Sequence, residues 1–363
     1  MAYTDIDKPS DYFNTLLYTG DNSNRSFTGV GFQPDLTWIK ARNNTTWHLL
    51  YDAVRTAGTG KELHSNSTAA EGASNSSLYG YLSSFDSDGF STVNGSSSSD
   101  ALNETGKTYA AWNWKAGGSA SSNSNGSITS SVSANTTSGF SIVSYTGNGS
   151  AGATIGHGLS QKPSIIITKR RDSISNWLVY SSELGATKYL ELETTNAGQT
   201  ATSRWNDTEP TSSVFSVGTS TSANPSSGTM IAYCFAEKQG YSKFGSYTGN
   251  GNADGTFVYT GFKPAFVIAK ESSEARDWQL WDNKRLGYNA SGGNKNLIPN
   301  KTDAEDTYAD IDILSNGFKL RNSSAADNKV SQTYIYMAFA ENPFTTSTGV
   351  PATARWLCSY LLT

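Results

Sequence analysis

The sequence predicts an all-β protein made of three tandem antiparallel β-sandwich domains of one repeated fold. Three observations carry that prediction. A turn recurs with its neighbours attached: Ser-Tyr-Thr-Gly-Asn-Gly stands at 144–149 and again at 246–251, and Tyr18-Thr19-Gly20-Asp21-Asn22 is a divergent copy. Only 36 % of the 363 residues are hydrophobic and 16 % charged, so Gly, Ser, Thr and Asn fill the chain. That mix feeds tight turns and competes with helical backbone bonding. The apolar runs are short, rich in β-branched residues, and bounded by Pro, Gly or charge, as buried strands are.

The landmarks keep their order in all three copies. Pro34 and Lys40, Pro163 and Lys169, and Pro264 and Lys270 bracket an apolar strand, six residues apart each time. A Trp follows each Lys (Trp47, Trp177, Trp278) and opens "WHLLYD", "WLVYSS" and "WQLWDN". Each copy closes on a strand ending in an aromatic, "YAAWNWKA", "MIAYCFAE" or "YIYMAFAE". The chain therefore divides into a lead-in at 1–10, repeat one at 11–117, a Gly/Ser/Thr-rich segment at 118–136, repeat two at 137–240, repeat three at 241–344 and a tail at 345–363. Residues 118–136 read as a flexible linker or an extended surface strand. Repeats two and three almost abut, which predicts close packing between them, with repeat one at an angle. The tail carries Trp356, Leu357, Cys358, Tyr360, Leu361 and Leu362. An exposed apolar end is a liability, so it is expected to dock on a neighbouring domain or subunit.

Within each copy the signals are strands. "PSIIITK" and "PAFVIAK" suit central strands covered on both faces. "FDSDGF" and "LSNGF" place turn pairs between apolar residues, a hairpin signature. Counting such runs gives eight or nine short strands per copy, which favours a two-sheet sandwich.

Charge and motif content narrow the function. A net charge of −4 argues against a nucleic-acid surface. No apolar run reaches the ~20 residues a spanning helix needs, so membrane insertion is not expected. Cys234 and Cys358 lack a CxxC partner, and Cys234 reads as a reduced core residue. His48, His64 and His157 show no metal spacing and read as rim residues; no metal or cofactor is expected. Asp86 and Asp88 read as turn residues. Lys40, Lys169 and Lys270 read as structural, with Asp52 and Asp282 as possible ion-pair partners. The Asn-x-Ser/Thr triplets at Asn44, Asn66, Asn103, Asn206 and Asn300 read as a by-product of composition. Trp38, Trp112, Trp114, Phe235 and Phe339 read as core. Trp205, in the polar stretch "SRWNDTEP", is the candidate binding residue: an exposed ring could stack on a sugar while Arg204, Asn206 and Asp207 bond its hydroxyls. The alternative is that Trp205 caps the sandwich edge. An enzyme reading would need a pair of carboxylates such as Asp277, Asp282, Glu305 or Asp306 across a groove.

"YTGDNS…FTGVGFQPDLTWIKAR", "WHLLYDAVRTAG", "SFDSDGF", "YTGNGSAGATIGHGLSQKPSIIITKRRDSISNWLVYS" and "MIAYCFAE" resemble a repeated domain of virion structural proteins of marine tailed bacteriophages. The likeness covers residues 11–344. It implies a lectin-like or jelly-roll-like sandwich on the particle exterior, in a tail appendage that meets host-surface glycan or as a head decoration. It implies other virion proteins as partners and a symmetric homo-oligomer. No catalytic residue comes with it, and a non-enzymatic protein is expected.

Overall fold

Strand order repeats wherever the sequence phrases repeat. In the computed structural model, which describes residues 3–97, 101–285, 289, 294–307 and 310–352, each repeat has an inner sheet ordered opening, closing, central, lateral. These strands are Phe13–Thr19, Thr108–Trp114, Leu36–Ala41 and Leu49–Asp52 in repeat one. In repeat two they are Phe140–Thr146, Thr229–Phe235, Ile165–Arg170 and Trp177–Ser181. In repeat three they are Ser242–Thr248, Thr333–Pro343, Phe262–Glu271 and Gln279–Asp282. All these pairings are antiparallel.

A smaller outer sheet covers each inner one. It comprises Arg25–Thr28, Gly89–Val93 and Tyr81–Asp86 in repeat one, and Ala153–Gly156 with Val214–Val217 in repeat two. Repeat three uses Phe257–Tyr259, Gly317–Leu320 and Ile311–Leu314. Asp86 opposite Gly89 and Leu314 opposite Gly317 close the expected two-residue hairpins. Between the layers lie separate cores, for example Ile39, Tyr51 and Phe90 in repeat one, Ile166, Tyr180 and Phe215 in repeat two, and Val267, Trp281 and Phe318 in repeat three.

The other face of every inner sheet is also buried. Trp38, Trp112 and Trp114, then Ile165, Tyr233 and Phe235, then Phe266, Met337 and Phe339 join one shared core. The Phe339 ring lies 5.7 Å from Trp114 and 5.8 Å from Phe235, so equivalent residues of all three closing strands meet. Burial on both faces is why these strands read as continuous apolar runs instead of alternating ones.

Of the two readings of residues 118–136, the extended strand holds and the flexible linker does not. Ser121–Asn123 and Ser130–Asn135 extend the second inner sheet beside Phe140–Thr146, and Ile128 bridges to Ile155 of the outer edge. Ile128 and Val132 are the only large apolar residues there, too few to show a rhythm in sequence. The lead-in also packs. Ile6 enters the shared core, and the Asp7 carboxylate accepts from the Ser347 backbone N–H at 2.7 Å and its hydroxyl at 2.6 Å. The apolar residues of the tail, Trp356 to Leu362, lie outside the described residues.

Candidate functional site

The recurring turn is held by a side chain the sequence hid. Tyr18, Tyr145 and Tyr247 donate their hydroxyls to the carbonyls of Leu102, Ala223 and Asp327 at 2.7–2.8 Å. The next residue in each segment is an asparagine, Asn103, Asn224 or Asn328, fully buried in every case. Each Asn accepts from the turn backbone at Asp21, Asn148 or Asn250. Each also donates to the side chain of that same residue and to the carbonyl of Ser23, Ser150 or Asn252. The turn glycine has no alternative, because a Cβ on Gly20, Gly147 or Gly249 would lie 2.1–2.3 Å from a backbone carbonyl oxygen. Asn328→Ala removes four hydrogen bonds of a buried side chain, three to the turn at 250–252 and one to the Asn322 carbonyl, and should cost about 1–3 kcal/mol. Urea unfolding measures it, and hydrogen exchange at 249–252 should quicken at the same time.

The three repeats meet through one joint used three times. The backbone N–H groups of Thr46, Ser175 and Arg276 donate to the carbonyls of Thr302, Thr68 and Thr195 at 2.8–3.0 Å. Those of Glu305, Glu71 and Gly198 donate back to Arg42, Arg171 and Ser272 at 2.7–2.9 Å. Repeat one thus joins repeat three, repeat two joins one, and three joins two, which closes a ring. The expectation that repeats two and three pack closely with repeat one at an angle to them is corrected: all three junctions share one backbone pattern, because each inner sheet has an apolar second face to bury.

The recurrent lysines lie inside these joints. Lys40 donates to the carbonyls of Ala41 at 2.7 Å and Asn44 at 3.0 Å. Lys169 donates to Thr68 of repeat one at 2.8 Å and to Ser175. Lys270 donates to Glu271 at 2.6 Å and to Thr195 of repeat two at 3.3 Å. Burial drives Lys40 down to about 7, although Asp303 and Glu305 pull the other way, and it lowers Lys169 and Lys270 to about 8. An unfolded lysine keeps its ordinary value near 10.5, so between about pH 8 and 10 the unfolded chain binds more protons. Stability should therefore rise with pH across that window through these lysines. Urea midpoints at pH 8 and 10 should rise less in Lys40→Met than in the parent; equal slopes would refute the assignment.

Asp52 and Asp282 do not pair with the lysines. Their carboxylates accept from the guanidiniums of Arg55 at 2.5 Å and Arg285 at 2.7 Å, with both partners of each pair buried. Each also accepts across the joint, from the Tyr233 hydroxyl at 2.7 Å and from the Trp112 indole at 3.0 Å. Glu71 and Glu305 link each arginine to a second one, Arg171 and Arg42. The joint between repeats two and three has Ser181, Leu184 and Met337 at the equivalent positions, with Gly198 facing Ser272. Asp277 pairs with Lys301 at 2.7 Å. Of the carboxylates an enzyme reading needs, Asp277, Asp282 and Glu305 are thus held in ion pairs.

The candidate sugar platform is corrected. Trp205 is 2 % exposed, at the end of a one-turn helix, Thr202–Trp205, that tucks under the second sandwich. Its ring packs edge-on to Tyr180, with centroids 6.0 Å apart. Arg204 lies over the Tyr189 ring and bonds Ser220. Asn206 takes the left-handed conformation that ends the helix, and Asp207 accepts from Thr202 at 2.7 Å. The four residues are neighbours, but no indole face is offered; the turn caps the sandwich, because polar flanks here satisfy the helix and not a ligand.

The histidines are buried, not on the rim. His64 stacks on Trp47 and bonds Ser74, and His157 accepts from the Leu159 N–H; burial lowers both to about 4. His48 accepts from the Trp38 indole at 3.0 Å. Register places Leu49, Leu178 and Gln279 as equivalents, so His48, not Trp47, stands where Trp177 and Trp278 stand. The indoles of Trp177 and Trp278 donate across the joints to the carbonyls of His64 and Glu191. As expected, Cys234 is a buried free thiol, and Asp88 caps the turn at Gly29 and Gly31. Among the described residues no cluster of three or more His, Cys, Asp or Glu could hold a metal.

The family described as Domain of unknown function (DUF7483) matches residues 8–343, and the chain belongs to it. The match runs through all three repeats, in keeping with a core they share. No curated protein and no solved structure matches the chain.

Proposed function

We propose that the protein is a non-catalytic structural component of a bacteriophage virion, in a tail or appendage, whose polar turns contact the host surface. The observation that carries the reading is where the buried charges sit. Perturbed titratable groups in a cleft would mark a catalytic site. Here the buried lysines and the Asp–Arg pairs lie in the joints, bonded to backbone and to each other, and they hold a rigid ring. What the ring presents outward is repeated: three clamped Asn/Gly/Ser turns at 18–24, 145–152 and 247–254. Weak contacts made by such turns multiply through the ring and through particle symmetry. The resemblance to marine phage virion proteins supplies the setting, and the polar turns replace the 204–207 segment as the surface that would meet glycan.

Mass spectrometry of gradient-purified particles from the native host should find the protein in fixed stoichiometry. Antibody labelling in electron microscopy should mark the tail. Absence from salt-washed particles would overturn the reading, and head labelling would overturn the tail assignment.

A further inference from the structure

We propose that the hub of the ring is a binding site for one small apolar molecule, compact and uncharged, of about the size of a xenon atom. A cavity of about 40 Å³ lies in the shared core, where the three inner sheets face one another. All three repeats line it: Leu36 and Trp114 from the first, Ile167 and Phe235 from the second, Ile268 and Met337 from the third. The site is therefore complete only when the ring is closed.

Register explains the void. Across the central and closing strands, Trp38 stands opposite Trp112 in repeat one, Ile167 opposite Tyr233 in repeat two and Ile268 opposite Met337 in repeat three. Repeat one brings two indoles to this layer, where the other repeats bring an isoleucine each, with a phenol or a thioether beside it. Ile167 keeps part of its surface uncovered although it packs against the shared core. Side chains that suit each sheet singly leave space at the axis where three sheets meet, and the walls forgo contacts there.

The chemistry of the walls selects the ligand. By size the cavity exceeds the ~10–15 Å³ that one water needs, but a buried water also needs two to four polar partners. The polar atoms of the lining rings are already bonded: the Trp38 indole to His48 at 3.0 Å, the Trp278 indole to the Glu191 carbonyl at 3.1 Å and the Tyr233 hydroxyl to Asp52 at 2.7 Å. The Tyr336 ring packs against Phe318 in the third sandwich core. Trp114 keeps an unpaired ring N–H, a single donor. Walls of this kind keep water out and favour a nonpolar guest; a dry apolar cavity of about 150 Å³ takes benzene or xenon, so one of this size takes only the smaller. Because the guest touches all three repeats, its binding stabilises the closed ring as a whole.

Xenon is the probe. In the full chain, with Ile, Leu, Val and Met methyl groups labelled for NMR, xenon pressure should shift the signals of Ile167, Ile268 and Met337 in a saturable way. Ile166 and Val267, which face the separate sandwich cores, should not move. The thermal midpoint should rise with xenon pressure and not with equal helium pressure. Ile268→Phe and Ile167→Phe each add bulk to the layer that Trp38 fills in repeat one, and each should lower xenon affinity at least tenfold while the rest of the spectrum keeps its dispersion. Absence of a saturable shift, undiminished affinity in whichever filling variant folds, or magnetisation transfer from water to the Met337 methyl, the mark of a wet cavity, would overturn the proposal.

Discussion

Phe339→Ala should lower the unfolding free energy by about 3–5 kcal/mol, the usual cost of deleting a buried aromatic ring. It should do so without splitting the transition. Phe339 belongs to repeat three by sequence, yet it touches Phe13 and Trp114 of repeat one and Phe235 of repeat two. A chain of three self-sufficient domains would respond by melting one of them early, with two steps in calorimetry. A ring around a shared core loses contacts in all three repeats together. Hydrogen exchange of the opening strands 13–19, 140–146 and 242–248 decides between these outcomes: all three should quicken to a similar extent. Acceleration confined to 242–248 would show that the repeats fold as separate units.

How the repeats join was largely hidden in the sequence, while their internal build was not. The order of Pro, Lys and aromatic landmarks follows from apolar periodicity within one sheet, so it was legible. The joints are made mostly by backbone carbonyls, which place few demands on residue type. A signal did exist. Asn66, Glu193 and Asn300 each accept from the backbone of the position Lys-plus-eight, and each stands two residues before a joint carbonyl at Thr68, Thr195 or Thr302. Two of these phrases look like glycosylation triplets, and that accidental likeness masked a repeated structural element. The opposite error arose at Trp205. A polar neighbourhood argued for exposure, but those polar groups bond to the protein itself, Asp207 to Thr202 beside the helical turn and Arg204 to Ser220 beyond it, and the Trp205 ring fills the sandwich end. The clamp asparagines, each five residues before its closing strand, were legible in principle and were missed among the many other Asn residues of the chain.

The joint between repeats three and one should be the most sensitive to charge, because its two sides belong to opposite ends of the chain. Arg42 and Glu305 bond there at 2.9 Å in a two-pronged pair, and the Asp282 carboxylate, itself paired with Arg285, accepts from the Trp112 indole beside them. Removing one member of a buried pair leaves the other charge uncompensated, at a cost of about 3–5 kcal/mol. Arg285→Leu alone should therefore destabilise by that amount in urea titration. The chain itself contains the remedy, since the joint between repeats two and three does without the charges and uses Ser181, Leu184 and Met337. Copying it by Asp282→Ser, Arg285→Leu and Trp112→Met together should recover most of the loss, because neither desolvated charge remains. A triple variant as unstable as Arg285→Leu would mean that the ion pair is irreplaceable at this junction and that the three joints, alike in backbone, are not interchangeable in energy. Recovery would instead show that a shared backbone frame tolerates either a charged or an apolar filling. The Asp–Arg pairs would then fix which repeat meets which, a role for buried charge that is separate from net stability.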